Sequence, residues 1–247
     1  MALALAQNLE RVRARIERAR RTATRSGQAR LLAVTKSVEP EVALALARLG
    51  QLDLGENRPE GLEAKRRLFD AELESGQSEG GRRVRWHFIG HLQRNKARRV
   101  ARLADEIHAV DSVALARTLS RVCAEEGLRP RIYLQVRLTD EATKHGLDPS
   151  ELPQAIEASD PSCLDLAGLM TMAPLEDDPQ RRAESASRTF GRLAELAERH
   201  GDAPWIEGRA LLSMGMSDDL EQAVDQGSDW LRIGSALFVE SAQEARR

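Results

Sequence analysis

Lys36 ends a short apolar run, LLAVTK, and is one of only four lysines among 37 basic residues; the others are Lys65, Lys96 and Lys144. A primary amine can deprotonate and attack a carbonyl to give an imine, chemistry that a guanidinium does not perform. Where arginine fills nearly every basic position, a lysine at the end of a buried run is the first candidate for covalent chemistry. Towards the other end, WLRIGSALF puts Gly234 and Ser235 at the start of a helix whose first turn holds no acid. A glycine lets an anion approach the backbone, serine offers a hydroxyl, and an unopposed helix N-terminus attracts negative charge, so the pattern suits a phosphate. Ser213, in ALLSM, supplies a second hydroxyl at the end of the preceding run. In SMGMSDDLEQAV, Ser217 reads as an N-cap, with Asp218 and Asp219 already complementing that helix dipole, which leaves the last helix as the preferred phosphate site. Arg232 lies two residues before Gly234, on the same side of an extended run, and needs an acceptor there: Glu56, Asp111 or a ligand atom.

Other chemistries find less support. His87 and His91 are four apart, but Gly90 breaks any helix between them and no third ligand is evident, so no metal site is expected. His108, His145 and His200 are scattered, and no G-x-S-x-G or phosphate-loop motif exists. Cys123 and Cys163 are too few for a disulfide framework and fit a reducing compartment, the cytoplasm. A net charge of −2 argues against a protein that coats nucleic acid, and no apolar run is long enough to span a bilayer. The Arg-rich first twenty residues are interrupted by Glu10 and Glu17, which points to a folded helix and not a targeting segment.

These residues need a frame that brings distant strand ends together. Eight short apolar runs alternate with helical patterns: 31 to 35, 52 to 55, 86 to 90, 106 to 110, 131 to 138, 164 to 170, 210 to 214 and 230 to 234. Helices are expected over 40 to 49, 58 to 70, 92 to 104, 112 to 126, 149 to 159, 179 to 200 and 217 to 226, with a last one from Ser235. Eight βα units in 247 residues predict a single (β/α)8 TIM-type barrel over 31 to 240, preceded by an extra N-terminal helix within 1 to 28. Barrel sites lie at the C-terminal strand ends, where Lys36, Asn57, Ser213 and Gly234 fall. The Gly-rich stretch 74 to 83 reads as a mobile surface loop, and TMAPLEDDPQ (171 to 180) as a loop placed to cover the barrel mouth.

The strings LLAVTK, DLGEN, WHFIGHLQRNK, GLMTM, LLSMGMSDDLEQAV and LRIGSALF, in this order, resemble the YggS/PROSC family of pyridoxal phosphate homeostasis proteins, itself similar to the alanine racemase N-terminal barrel domain. The resemblance covers about residues 31 to 238. It implies a barrel of the third pyridoxal-phosphate fold type, holding pyridoxal 5′-phosphate as an aldimine on Lys36. It further implies phosphate contacts at Ser213, Gly234 and Ser235, with Ser235 where threonine is common. Arg232 is implied to face the pyridine nitrogen, and Asn57 and His87 to line the pocket. Lys96 and Lys144 also sit in family motifs. Arg58, where many members have tyrosine, and the long 70 to 83 region depart from the pattern. The implied role is storage, buffering or delivery of the cofactor to apo-enzymes in the cytoplasm, by a monomer with no catalytic residues and no nucleic-acid or membrane partner.

The alternative is a pyridoxal-phosphate-dependent amino-acid racemase. Two-base racemisation needs a second proton carrier opposite the lysine, and racemases of this fold use a tyrosine from a partner subunit. The one tyrosine here, Tyr133, falls inside the fifth predicted strand, and the 247 residues hold no second β domain. An arginine at the ring nitrogen also keeps that nitrogen unprotonated, which weakens carbanion chemistry. The carrier reading is therefore preferred.

Overall fold

The computed structural model describes residues 2–74, 83–139 and 145–238. Eight parallel strands close into a barrel in sequence order: β1 (Arg30–Val34), β2 (Asp53–Glu56), β3 (Arg85–Phe88), β4 (Glu106–Val110), β5 (Arg131–Gln135), β6 (Asp165–Met170), β7 (Leu211–Ser213) and β8 (Trp230–Ile233). Outside them run α2 (Pro40–Arg48), α3 (Pro59–Glu74), α4 (Ala97–Leu103), α5 (Val113–Glu126), α6 (Leu152–Glu157), α7 (Pro179–Arg199), α8 (Leu220–Asp225) and α9 (Ser235–Phe238), with α1 (Ala2–Arg20) ahead of the barrel. Residues 75–82 of the expected surface loop, and Lys144, lie outside the described residues. No helix among those described is long and apolar enough to cross a membrane.

Local chemistry sets the element ends. Ser112 caps α5 by accepting from the Leu115 amide, and Gly127 closes it in the left-handed region at φ 64°. Asp178 caps α7, where Pro179 pre-sets the first helical φ. The N-terminal helix stops at Arg20, short of the expected 28, because Thr24 commits both its amide and its hydroxyl to Asp225 Oδ1 (3.0 and 2.7 Å) and holds the strap to β1 out of helical geometry. The fifth strand stops at Gln135: beyond it, Val136 still bonds the Met170 carbonyl (2.8 Å) but also bridges Leu147, where the regular ladder ends. The 310 turns at Arg94–Lys96 and Pro149–Glu151 take the first turns of two expected helices.

Closure sets the register that matters for function. β8 returns to β1 with Leu32 opposite Arg232 and Ala33 opposite Ile233. The barrel interior is filled by Leu32, Tyr133, Ala167, Met170, Leu211 and Trp230, with Ile89 packed against them. Since Leu32 and Trp230 face inward, strand alternation carries positions 34 and 36, and 232 and 234, to the inward side. The larger cluster lies between the barrel and its helices, where Leu46, Leu62, Leu119, Phe190 and Leu237 are fully buried. α1 packs on α8 and α9 and is tied to them by Asn8 Nδ2 to the Leu237 carbonyl (3.1 Å) and by Arg15 to Glu221 and to the Ser217 carbonyl (2.7 Å).

Candidate functional site at the barrel mouth

Lys36 follows β1 in an exposed turn at the C-terminal end of the barrel. Its neighbour Thr35 is fully buried and donates to Glu56 Oε1 (2.6 Å), which also receives Lys65 Nζ (2.8 Å); Glu56 and Lys65 are 2% and 4% exposed. This buried ion pair sits on the outward side of β2 and fixes the backbone from which Lys36 projects. Glu56 is thus spent on Thr35 and Lys65, so it is not the partner of Arg232; Asp111 is likewise engaged, with His91. Asn57 follows β2, half-buried, at the same end of the barrel.

Arg232 is 5% exposed, and its acceptors are Ser213 Oγ (3.0 Å, from Nη1) and the Thr171 carbonyl (3.0 Å, from Nη2). Burial lowers its pKa to about 10, partly offset by Asp219, so it remains a cation at neutral pH. The other three of its five N–H groups have no protein acceptor among the described residues.

Ser213 begins a chain through the barrel. Its Oγ is 2.8 Å from His108 Nδ1; His108 Nε2 is 2.9 Å from His87 Nδ1; His87 Nε2 is 3.2 Å from Asp53 Oδ1. Both ends fix the direction. Arg232 can only donate, the Asp53 carboxylate only accepts, and the buried Ser213 hydroxyl has no acceptor other than His108 among the described residues, so Ser213 donates to His108, His108 to His87, and His87 to Asp53. Each ring then carries a hydrogen on Nε2, and His108 accepts on Nδ1. Beside them, Trp230 Nε1 donates to the Tyr133 hydroxyl (2.7 Å), which donates to Glu106 Oε2 (3.1 Å). Burial first, then His87, Arg232 and Arg30, push the His108 pKa well below the usual imidazole value. For Asp53, burial raises the pKa, but hydrogen bonds from His87 and Arg85 outweigh it and leave the carboxyl below its usual range.

At the β8 end, Gly234 is half-buried and lies beside Val34: a Cβ there would meet the Val34 Cβ and carbonyl oxygen at 3.3 Å. Ser235 is exposed, and its hydroxyl is 3.0 Å from that of Ser217. Ser217 is therefore not a helix cap. The N-cap of α8 is Asp219, whose carboxylate instead accepts from the Met216 amide (2.5 Å).

The seven residues read from sequence thus divide. Lys36, Asn57, Gly234 and Ser235 are at the strand ends of the mouth, and Arg232 is sealed just within it. His87 lies deeper, fully buried, with both ring nitrogens spent on His108 and Asp53; Ser213 is fully buried, with its oxygen between Arg232 and His108. Sequence reasoning missed Ser217 and His108. The alternation of β4, which turns His108 inward beside β3, was the available signal.

A closed parallel barrel with an exposed lysine after its first strand, a buried arginine in its last and a serine pair beside a glycine defines an alanine-racemase-type barrel. Residues 7–242 match the family model for the alanine racemase N-terminal domain. The chain is 38% identical over 239 residues to the pyridoxal phosphate homeostasis protein of Pseudomonas aeruginosa, covering 95% of this chain and 94% of that one. It belongs to that family. The structure of Synechococcus elongatus PipY with pyridoxal phosphate bound is similar at a TM-score of 0.73 and 32% identity, covering 95% of this chain and 99% of that one. A Clostridium difficile alanine racemase shares the fold alone, at 14% identity and a TM-score of 0.70, with this chain spanning 56% of it.

The neutral state of buried His108 has a measurable cost in acid. The unfolded chain takes up a proton on this ring near pH 6.5 and the folded chain does not, so stability present above that pH is lost below it. Between pH 7.5 and 5.5, His108 is expected to remove on the order of 1 kcal/mol from the urea unfolding free energy. His108→Gln, with no ring to titrate, should lose correspondingly less over the same interval. Equal losses in both proteins would show that another group sets the acid sensitivity.

Proposed function

We propose that this protein binds pyridoxal 5′-phosphate at the barrel mouth and serves as its store and donor, not as an enzyme that turns over an amino acid. The observation that carries this is the joint presence, at one end of one barrel, of an exposed Lys36 amine, a buried cationic Arg232 and the paired hydroxyls of Ser217 and Ser235. The bound relative and the family name support the same reading.

The residues present fit the group. Pyridoxal phosphate, when bound, supplies an aldehyde that a primary amine captures reversibly, and Lys36 is the amine available. The phosphate would be held where Gly234 presents no side chain, by Ser235 and by Ser217 rather than the buried Ser213. Arg232 would offer a remaining N–H to the pyridine nitrogen, held in place by Ser213 and Thr171. Asn57 lines the mouth, and His87 acts from below, through His108 and Ser213. A guanidinium with a pKa near 10 does not give its proton to a pyridine, so the ring nitrogen keeps its lone pair and withdraws electrons weakly. Tyr133 is fully buried with its hydroxyl tied to Glu106 and Trp230, so it cannot serve as the second base of a racemase. The implied partners are apo-enzymes that need the cofactor, and the implied setting is a monomer in the cytoplasm.

Purified protein incubated with pyridoxal phosphate and reduced with borohydride should carry a pyridoxyl group on Lys36. Lys36→Ala and Lys36→Arg should both abolish it. A label confined to Lys65, Lys96 or Lys144 in the parent protein would refute the assignment.

For the phosphate, Ser217→Ala and Ser235→Ala should each weaken binding by about 1–2 kcal/mol, roughly 5- to 30-fold in Kd, while leaving the already weaker affinity for unphosphorylated pyridoxal nearly unchanged. An equal loss for both ligands would move the phosphate elsewhere.

Turnover separates store from enzyme. Amino acids in deuterated buffer should exchange their α-hydrogen no faster with this protein than with free pyridoxal phosphate. Exchange well above that rate, lost in Lys36→Ala, would establish catalysis.

A further inference from the structure

Three side chains outside the proposed pyridoxal pocket converge at the mouth. His91, Asp111 and His145 follow β3, β4 and β5, three adjacent strands of the barrel. His91 Nδ1 is 2.7 Å from Asp111 Oδ2, and the His91 and His145 rings stack with centroids 3.9 Å apart and planes 15° from parallel. One ligand atom from each of the three lies within 4.8 Å of the other two.

The supporting backbone is tightly held. Ile89 N bonds the Glu56 carbonyl (2.8 Å), and a Cβ on Gly90 would stand 2.1 Å from the Asn57 carbonyl oxygen, so only glycine lets the chain pass there on its way to His91. Gln135 Nε2 donates to the His145 carbonyl (2.9 Å), and the Leu147 amide donates back to Gln135 O (2.8 Å). The Asp111 side chain is 8% exposed, while the His91 side chain is 44% exposed, so the cluster opens to solvent on its imidazole side.

We propose that His91, Asp111 and His145 form a site for one divalent d-block cation such as Zn²⁺, Co²⁺ or Ni²⁺, with its remaining positions open to water. Two imidazoles and one carboxylate are the donor set those ions take, whereas Mg²⁺ and Ca²⁺ seek oxygen. Ligands of a four-coordinate ion at about 2.0–2.1 Å stand about 3.4 Å apart, so His91 Nδ1 and Asp111 Oδ2, now 2.7 Å apart, must separate slightly to admit the ion between them. The ion has to lie in the plane of each ring it binds, which parallel stacked rings do not allow. Binding therefore swings the exposed His145 ring, which no hydrogen bond holds among the described residues, out of the stack. The ion also takes the place of the hydrogen that joins His91 Nδ1 to Asp111, and the neutral imidazole keeps its one hydrogen on the other ring nitrogen, Nε2. The second cluster of this kind, His87, Glu106 and His108, is fully buried and already hydrogen-bonded through the barrel, so it offers an ion neither access nor free lone pairs.

The test uses the full chain, reduced, stripped with a chelator and free of pyridoxal phosphate. Zn²⁺ and Ni²⁺ are titrated in competition with a chromophoric indicator. One equivalent should bind with micromolar or tighter affinity, and millimolar Mg²⁺ should not compete. His91→Gln, Asp111→Asn and His145→Gln should each weaken it at least about tenfold, while His108→Gln should not. Thermal unfolding checks that each variant folds, and because three separate variants are read, failure of one to fold leaves the other two to decide. Absence of saturable binding overturns the proposal. So does an affinity untouched by all three substitutions, which would place the ion elsewhere, on a cysteine or another carboxylate. The result stands or falls independently of the pyridoxal site, because no pyridoxal phosphate is present.

Discussion

A guanidinium sealed inside a protein keeps its charge only if its surroundings are fixed in advance, and Arg232 organises the barrel on that condition. Its N–H groups take up Ser213 and the Thr171 carbonyl. Ser213 then has only His108 to receive its hydroxyl proton among the described residues, and the chain runs on through His87 to Asp53. The interior that holds Leu32, Met170, Leu211 and Trp230 is therefore also crossed by an ordered polar chain. Such a chain gives up some of the stability an apolar filling would provide, since each group pays to leave water. What it gains is a charge whose position and orientation are settled before any ligand arrives.

Outside the barrel, a second set of contacts steadies the residues at the mouth. Thr35, Glu56 and Lys65 brace the turn that presents Lys36. On the opposite flank, α1 reaches the other half of the site: Arg15 holds the carbonyl of Ser217 and Asn8 holds the carbonyl of Leu237, at either side of the serine pair. The extra helix is thus part of the wall behind the proposed phosphate position. In the loop after β6, Thr171 is buried against Arg232 while Leu175 is 85% accessible; Arg182 ties this loop back to α7 through the carbonyls of Glu176 and Asp177.

Eight strands could be read from the sequence because each is a short apolar run bounded by turn residues, and the structure moves their ends by no more than about three residues. The mouth positions of Lys36, Gly234 and Ser235 were legible for the same reason: barrel geometry assigns strand ends to one face. What could not be read was where a polar group spends its hydrogen bonds. Ser217 looks like a cap in sequence, yet its hydroxyl turns to Ser235 and Asp219 takes the N-cap position. Ser213 looks available, yet it is consumed by two neighbours. His91, Asp111 and His145 were passed over for a different reason: they lie 20 and 34 positions apart along the chain, and only the side-by-side pairing of β3, β4 and β5 brings three loops together.

The distribution of amines acquires a meaning once the protein is regarded as the keeper of an aldehyde. An aldehyde condenses with any accessible amine, and a surface rich in lysine would take up cofactor in random places. Here Lys65 is shut away against Glu56, Lys96 is drawn to Glu60 at 3.6 Å, and nearly all remaining positive charge is carried by arginine, which is inert towards aldehydes under ordinary conditions. Surface ion pairing is kept by arginine, while stray adducts would be fewer. On the proposed function, an arginine-dominated surface would make the protein chemoselective, directing a reactive carbonyl to one address by offering it few others.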